Sequence, residues 1–181
     1  MATEESTDAD DKVLVTDVDS KELVTDADDK KSVTGADGEG LVCTRANSKQ
    51  IMQHFENNSQ MWAAPLSLGQ YLDMQFQLVV FNGHRASPKH WALFKPCDPE
   101  TIISSCAVHL RDAIMNSGRG MEPVTAAIIT EVFTHPEFRR NGMATKLLSK
   151  VKQDLDAMEK DRVEFSIIYS GSSTGLYDKL G

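Results

Sequence analysis

The junction at residues 126–145 restricts the fold more than any other segment. An alternating apolar stretch (126–134, AAIITEVFT) runs through HPEFRRNG into a helical period at 140–159, with Leu147, Leu148, Val151, Leu155 and Met158 as its apolar stripe. A second apolar run, VEFSIIY at 163–169, follows at once. Strand, helix, strand in one sheet closes as a right-handed crossover, so 126–134 and 163–169 are expected to lie parallel. That requirement selects an α/β (α+β) architecture.

The rest of the chain supplies the remaining layers. Residues 40–43 (GLVC) read as a short first strand, 90–95 (HWALFK) and 102–110 (IISSCAVHL) as further strands, with segments rich in Pro, Gly, Asn and Asp between them. Residues 47–58 place Ile51, Met52 and Phe55 on one helical face, and a second helix starts at Ser67 with Leu68, Tyr71, Leu72, Phe76 and Leu78 as its half-buried side. Residues 172–180 read as a last short helix, and Trp62 and Trp91 as core anchors.

Residues 1–40 differ in kind. They hold 13 acidic residues against 4 lysines and no aromatic residue, and threonines recur every nine residues at Thr7, Thr16, Thr25 and Thr34. Such a stretch buries too little apolar surface to offset its ordering entropy, so a disordered acidic nine-residue repeat is expected at 1–40 and one domain at 41–181. A calcium loop starting at Asp17 fails for want of the glycine and glutamate that such a loop needs. The formal charge of −8 comes from this tail, since residues 41–181 carry 14 acidic and 15 basic groups. A nearly neutral domain argues against nucleic acid as a partner. No apolar run reaches membrane-spanning length, and the start carries neither a signal nor a transit pattern, which points to the cytoplasm, with the nucleus also open. Three cysteines without paired spacing and five histidines without i,i+4 spacing make no disulfide framework and no metal site. Cys106, inside a strand, reads as a small buried hydrophobe.

At the junction, a strand delivers exposed backbone N–H groups to a helix start, the arrangement that holds phosphate. Gly142 allows close approach of an anion, Ala144 allows tight packing, and Arg139 and Arg140 add positive charge. Read alone, the same residues also describe a plain turn with a solvated charge pair.

Arg139-x-x-Gly142-x-Ala144, with Pro136 three residues before the arginine, resembles the R/Q-x-x-G-x-G/A signature of the GNAT superfamily of N-acetyltransferases, and Tyr177-x-Lys179-x-Gly181 resembles its closing motif. Residues 131–144 (EVFTHPEFRRNGMA), 165–181, 90–106 and 62–72 are further similar to the fungal lysine N6-acetyltransferases, with His135, Arg140 and Gly171 departing from that pattern. The resemblance implies a mixed, mostly antiparallel sheet whose one parallel crossover splays for the coenzyme. It also implies more strands beyond Gly181, so that the fold would be incomplete at its C-terminus and its exposed sheet edge could support an oligomer.

For activity, the resemblance implies acetyl transfer from acetyl-CoA to an amine, with free lysine or a similar small amine as acceptor. A protein or peptide amine is the rival acceptor, and an inactive coenzyme- or partner-binding module the rival class. The coenzyme would lie along Phe133, Thr134, Arg139, Arg140, Asn141, Gly142, Met143, Ala144 and Thr145, a backbone N–H of Phe133 or Thr134 would hold the oxyanion, and Tyr177 would protonate the departing thiolate. Glu131 and His109 are candidate bases, with a packed aromatic, a strand-face charge and a half-buried polar residue as the plainer roles of Tyr177, Glu131 and His109. No metal enters this scheme.

Overall fold

Two reciprocal side-chain caps start the helical layer. Asn47 and Gln50 close a capping box on α1 (Ser48–Trp62), and Ser67 and Gln70 close another on α2 (Leu68–Ala86). The computed structural model describes residues 40–118, 120–158 and 162–169, apart from the side chains of 79–86. The acidic repeat and the closing segment with Tyr177 therefore lie outside the described residues.

Five strands form one sheet in the order β1 (Val42–Arg45), β2 (Lys89–Lys95), β3 (Asp98–Asn116), β4 (Met121–Thr134) and β5 (Val163–Ile168). Neighbours are antiparallel except β4 and β5, which run parallel around α3 (Met143–Asp156), as the crossover requires. The β3–β4 hairpin is longer than its apolar run because cross-strand pairing continues past the buried part, from Asp112↔Thr125 to Asn116↔Met121. Among the described residues, no helix is long and apolar enough to cross a membrane.

Side-chain alternation along β2 separates two faces. Trp91 and Leu93 join Val108, Ala127, Ile129 and the α3 residues Leu147, Leu148, Val151 and Leu155 in the main core. Trp91 is fastened there by its indole N–H, which donates to Asp154 at 3.0 Å, and by the Arg45 guanidinium 3.8 Å above its ring. Next to Trp91, His90 turns to the other face, against Phe55 of α1. A smaller cluster of Phe55, Ala63 and Tyr71 joins α1 to α2.

Leu147 is fully buried at the centre of the main core. Leu147→Ala is expected to destabilise the chain by about 2–5 kcal/mol, read as a lower urea midpoint at unchanged slope. A midpoint equal to wild type would mean that α3 is not packed as described.

Three expectations need correction. The long helix starts at Met143 rather than 140, because Arg140 (φ 65°) and Gly142 (φ 72°) adopt left-handed backbone that an α-helix excludes. Among the described side chains of α2, Tyr71 is buried and Leu72 partly so, while Leu68, Phe76 and Leu78 are exposed, because α2 packs more on α1 than on the sheet. Trp62 is exposed at the last turn of α1, where Ala63 takes the buried place.

Candidate active site

A bulge in β4 organises the site. Ser105 pairs with Phe133 and Ala107 with Thr130, so Cys106 alone on β3 faces both Glu131 and Val132. Glu131 absorbs the extra residue at φ 54°, a left-handed position that bulges usually give to glycine. Ala127 and Ile129 point into the main core, and simple alternation would send Glu131 there too. The bulge instead turns its carboxylate to the α1 face, where it meets a polar cluster.

His54 is the hub of that cluster. Its Nε2 lies 3.0 Å from Glu131 Oε2 and 2.9 Å from the Asn58 amide nitrogen, and its Nδ1 lies 2.8 Å from Ser105 Oγ. Gln75 of α2 donates to the second Glu131 oxygen at 3.4 Å. Burial opposes ionisation of Glu131 and is the largest single influence on it, but the hydrogen bond and charge of His54, with His90 and His109 beyond, hold its carboxyl below the usual range. Burial, and then the proximity of His54, pushes His90 down to about 3, so its ring is neutral at pH 7. Burial also lowers His109, with Arg111 adding to the effect. An ionised carboxylate is the form that can accept a proton, and its neighbour His90 does not compete for one.

Past the bulge, at the end of β4, lies an open groove of about 410 Å³, lined by Met61 of α1, 132–134, 138–140 and 142–145. Eight of the nine residues expected around the coenzyme line it: Phe133, Thr134, Arg139, Arg140, Gly142, Met143, Ala144 and Thr145. Asn141 does not. Arg139 donates from Nε to the Thr134 carbonyl at 2.9 Å and so folds the loop back on the end of β4. Gly142 caps α3 without a side-chain hydrogen bond, leaving first-turn N–H groups directed at the groove end. A Cβ built on Gly142 would meet nothing within 4 Å, so this position faces open space.

Pairing of β4 with β5 covers Thr125 to Ile129 among the described residues, and the groove lies at the strand end beyond it. Ser104 steadies that end of β4, donating to the Phe133 carbonyl at 2.8 Å and touching Thr134 Oγ1 at 2.9 Å. A strand end with an anion-ready loop beyond it and a carboxylate just before it can hold an extended phosphate-bearing thioester and present an amine to it.

Sequence reasoning missed His54, Asn58, Ser105 and His90. Residues 51, 54, 55 and 58 nonetheless form one complete i, i+3, i+4, i+7 stripe, and two polar members in such a stripe were the available signal. Cys106 is buried, and burial raises its thiol pKa far above the usual range, consistent with an unreactive core residue.

The comparisons with known proteins agree with this geometry. A family model described as an acetyltransferase (GNAT) domain matches residues 98–181. A predicted acetyltransferase from Clostridium acetobutylicum, solved with acetyl-CoA, superposes at a TM-score of 0.57 and 16% identity, covering 78% of this chain and 88% of its own. Glucosamine-6-phosphate N-acetyltransferase from Arabidopsis thaliana gives 0.55 and 14%, covering 78% and 90%. A Trypanosoma brucei acetyltransferase gives 0.54 and 18%, covering 78% and 91%. No protein of curated function matches the chain in sequence. The fold is therefore the GNAT acetyltransferase fold: a mixed five-stranded sheet, antiparallel but for its β4–β5 pair.

Proposed function

We propose that the chain transfers the acetyl group of acetyl-CoA to an amine, with free lysine or a similarly small amine as acceptor. The bulge in β4 is the observation that carries this reading, because it turns Glu131 out of the apolar core just before the strand end that lines the groove. The groove suits the cosubstrate: an open glycine position, two arginines and a bare helix start converge where a pyrophosphate would lie.

Acetyl-CoA supplies an activated thioester carbonyl. A lysine amine has a reference pKa near 10.4 and arrives protonated at pH 7. In this reading Glu131 draws in the ammonium group and accepts a proton from it, directly or through water, freeing the nitrogen lone pair to attack. In this reading the backbone N–H of Phe133 or Thr134 holds the oxyanion as the carbonyl becomes tetrahedral. Collapse breaks the carbon–sulfur bond, and the Tyr177 hydroxyl returns a proton to the thiolate.

Similarity of residues 131–144 and 165–181 to the fungal lysine N6-acetyltransferases supports the choice of free lysine. The test is thiol release from acetyl-CoA with free lysine, Nα-blocked lysine or a peptide amine as acceptor, with mass spectrometry of the product. Free lysine is expected to drive release, with the acetyl group on its side-chain nitrogen. Release with peptide amines alone would move the assignment to a protein acceptor. Tyr177→Phe is expected to lower turnover by about 100-fold or more at unchanged acetyl-CoA affinity. Turnover equal to wild type would leave Tyr177 a packing role.

A further inference from the structure

Three elements distant in sequence bring His54 of α1, His90 of β2 and Glu131 of β4 together under the bulge, with one donor atom from each lying within 4.8 Å of the other two. Both imidazoles are buried, at 0% and 5% exposure, and meet edge to face with ring centroids 4.9 Å apart. His90 Nε2 is buried without a hydrogen-bond partner. A ring nitrogen left unsatisfied in a core costs stability unless something else fills its lone pair or takes its proton.

His54 Nε2 carries a second conflict. A carboxylate oxygen and an amide nitrogen approach it together, yet one ring nitrogen either donates to the carboxylate or accepts from the amide. Turning the Asn58 amide over would remove the conflict at the ring but leave its NH2 group in the place of Asn58 Oδ1, an atom that already has no partner. A cation would give the unpartnered His90 nitrogen a positive centre shared with the His54 and Glu131 lone pairs, and would displace the Asn58 N–H from His54 Nε2. The Ser105 hydroxyl against His54 Nδ1 supplies the outer hydrogen bond that orients a metal-bound histidine.

We propose that His54, His90 and Glu131 form a site for a divalent first-row transition ion, with Zn2+ as the representative, and that the bound ion switches acetyl transfer off. Two imidazoles and one carboxylate are the donor set of such ions rather than of calcium or magnesium, which take oxygen ligands. In a tetrahedral zinc site the ligand atoms stand about 3.3 Å apart, so the cluster must contract by only about 1.5 Å at its widest, leaving the fourth position to water. Glu131 opens the site to solvent, its side chain being 25% exposed. The inhibitory consequence rests on the reading of Glu131 as proton acceptor: a carboxylate lone pair bound to zinc no longer takes a proton from the amine. Binding itself does not depend on that reading.

Cobalt titration of the metal-free full chain separates the two. One equivalent of Co2+ is expected to produce an intense visible ligand-field band, bleached by one equivalent of Zn2+, whereas all-oxygen sites such as the acidic repeat give only a faint octahedral band. His90→Gln, and separately Glu131→Gln, should weaken binding at least 10-fold while retaining the wild-type circular dichroism spectrum. A folded wild-type chain without the intense band, or one in which both variants keep it, overturns the site. Zinc at saturation is expected to slow lysine-dependent thiol release at least 10-fold in wild type and to leave His90→Gln at its own zinc-free rate. Loss of the band's zinc response with unchanged inhibition, or inhibition equal in His90→Gln, overturns the switch. A chain with no transferase activity at all still shows or lacks the cobalt band, so the proposal and the functional reading fail separately.

Discussion

Gly142→Glu is expected to weaken acetyl-CoA binding at least 100-fold, about 2.7 kcal/mol, while the chain remains folded. Three effects act in the same direction. The new side chain starts from an open position and projects into the groove, where the pyrophosphate would sit. Its carboxylate repels that group across a short distance in a partly desolvated cleft. The left-handed backbone at φ 72° costs a residue with a Cβ about 1–2 kcal/mol, which loosens the start of α3. Gly142→Ala separates the causes, because it carries the backbone cost and a methyl group that meets no protein atom within 4 Å, but no charge. Calorimetric affinities for both variants, beside their urea midpoints, check the argument. Gly142→Glu with wild-type affinity would remove the loop from the coenzyme site.

Glu131→Gln is expected to lower turnover by about 100- to 10,000-fold, the usual contribution of a positioned base, at unchanged affinity for acetyl-CoA. The amide keeps the size of the carboxyl group and can still hydrogen-bond His54, and it inherits the same left-handed backbone, so folding is unaffected by the exchange at first order. What it loses is the capacity to take a proton. Since Glu131 is not among the residues that line the groove, binding and turnover should separate in this variant. Single-turnover thiol release beside a coenzyme titration measures both. A turnover equal to wild type would leave Glu131 a structural role as the partner of His54.

Legibility differed sharply between the two sides of the strand. The crossover, the loop and its glycine were visible because they are local: an alternating run, a Pro–Gly turn and a helical stripe lie consecutively in 126–159, and each has a period of its own. The strand–helix order alone required the parallel β4–β5 pair. The acceptor side was hidden because it is assembled from four elements separated by up to 77 residues, between His54 and Glu131. Histidine spacing along the chain carried no sign of it, since the sheet, and not a helical repeat, places His54 beside His90. Glu131 was named from its position on the strand, but its direction was not readable. An unbulged strand would have sent it into the apolar core among Ala127 and Ile129. Only the extra residue opposite Cys106 reverses that. The start of α3 was misjudged for a related reason: Arg140 is a good helix former by propensity, and the tight turn required by Gly142 overrides it.

The central claim is that the end of β4 and the loop at 139–145 hold acetyl-CoA. Calorimetric titration of the full chain with acetyl-CoA tests it most directly, followed in the same cell by free lysine and a thiol reagent. Saturable one-to-one binding, with thiol released only after lysine is added, is the result this account predicts. A folded chain that takes up no acetyl-CoA would contradict it, whatever its likeness in fold to acetyltransferases.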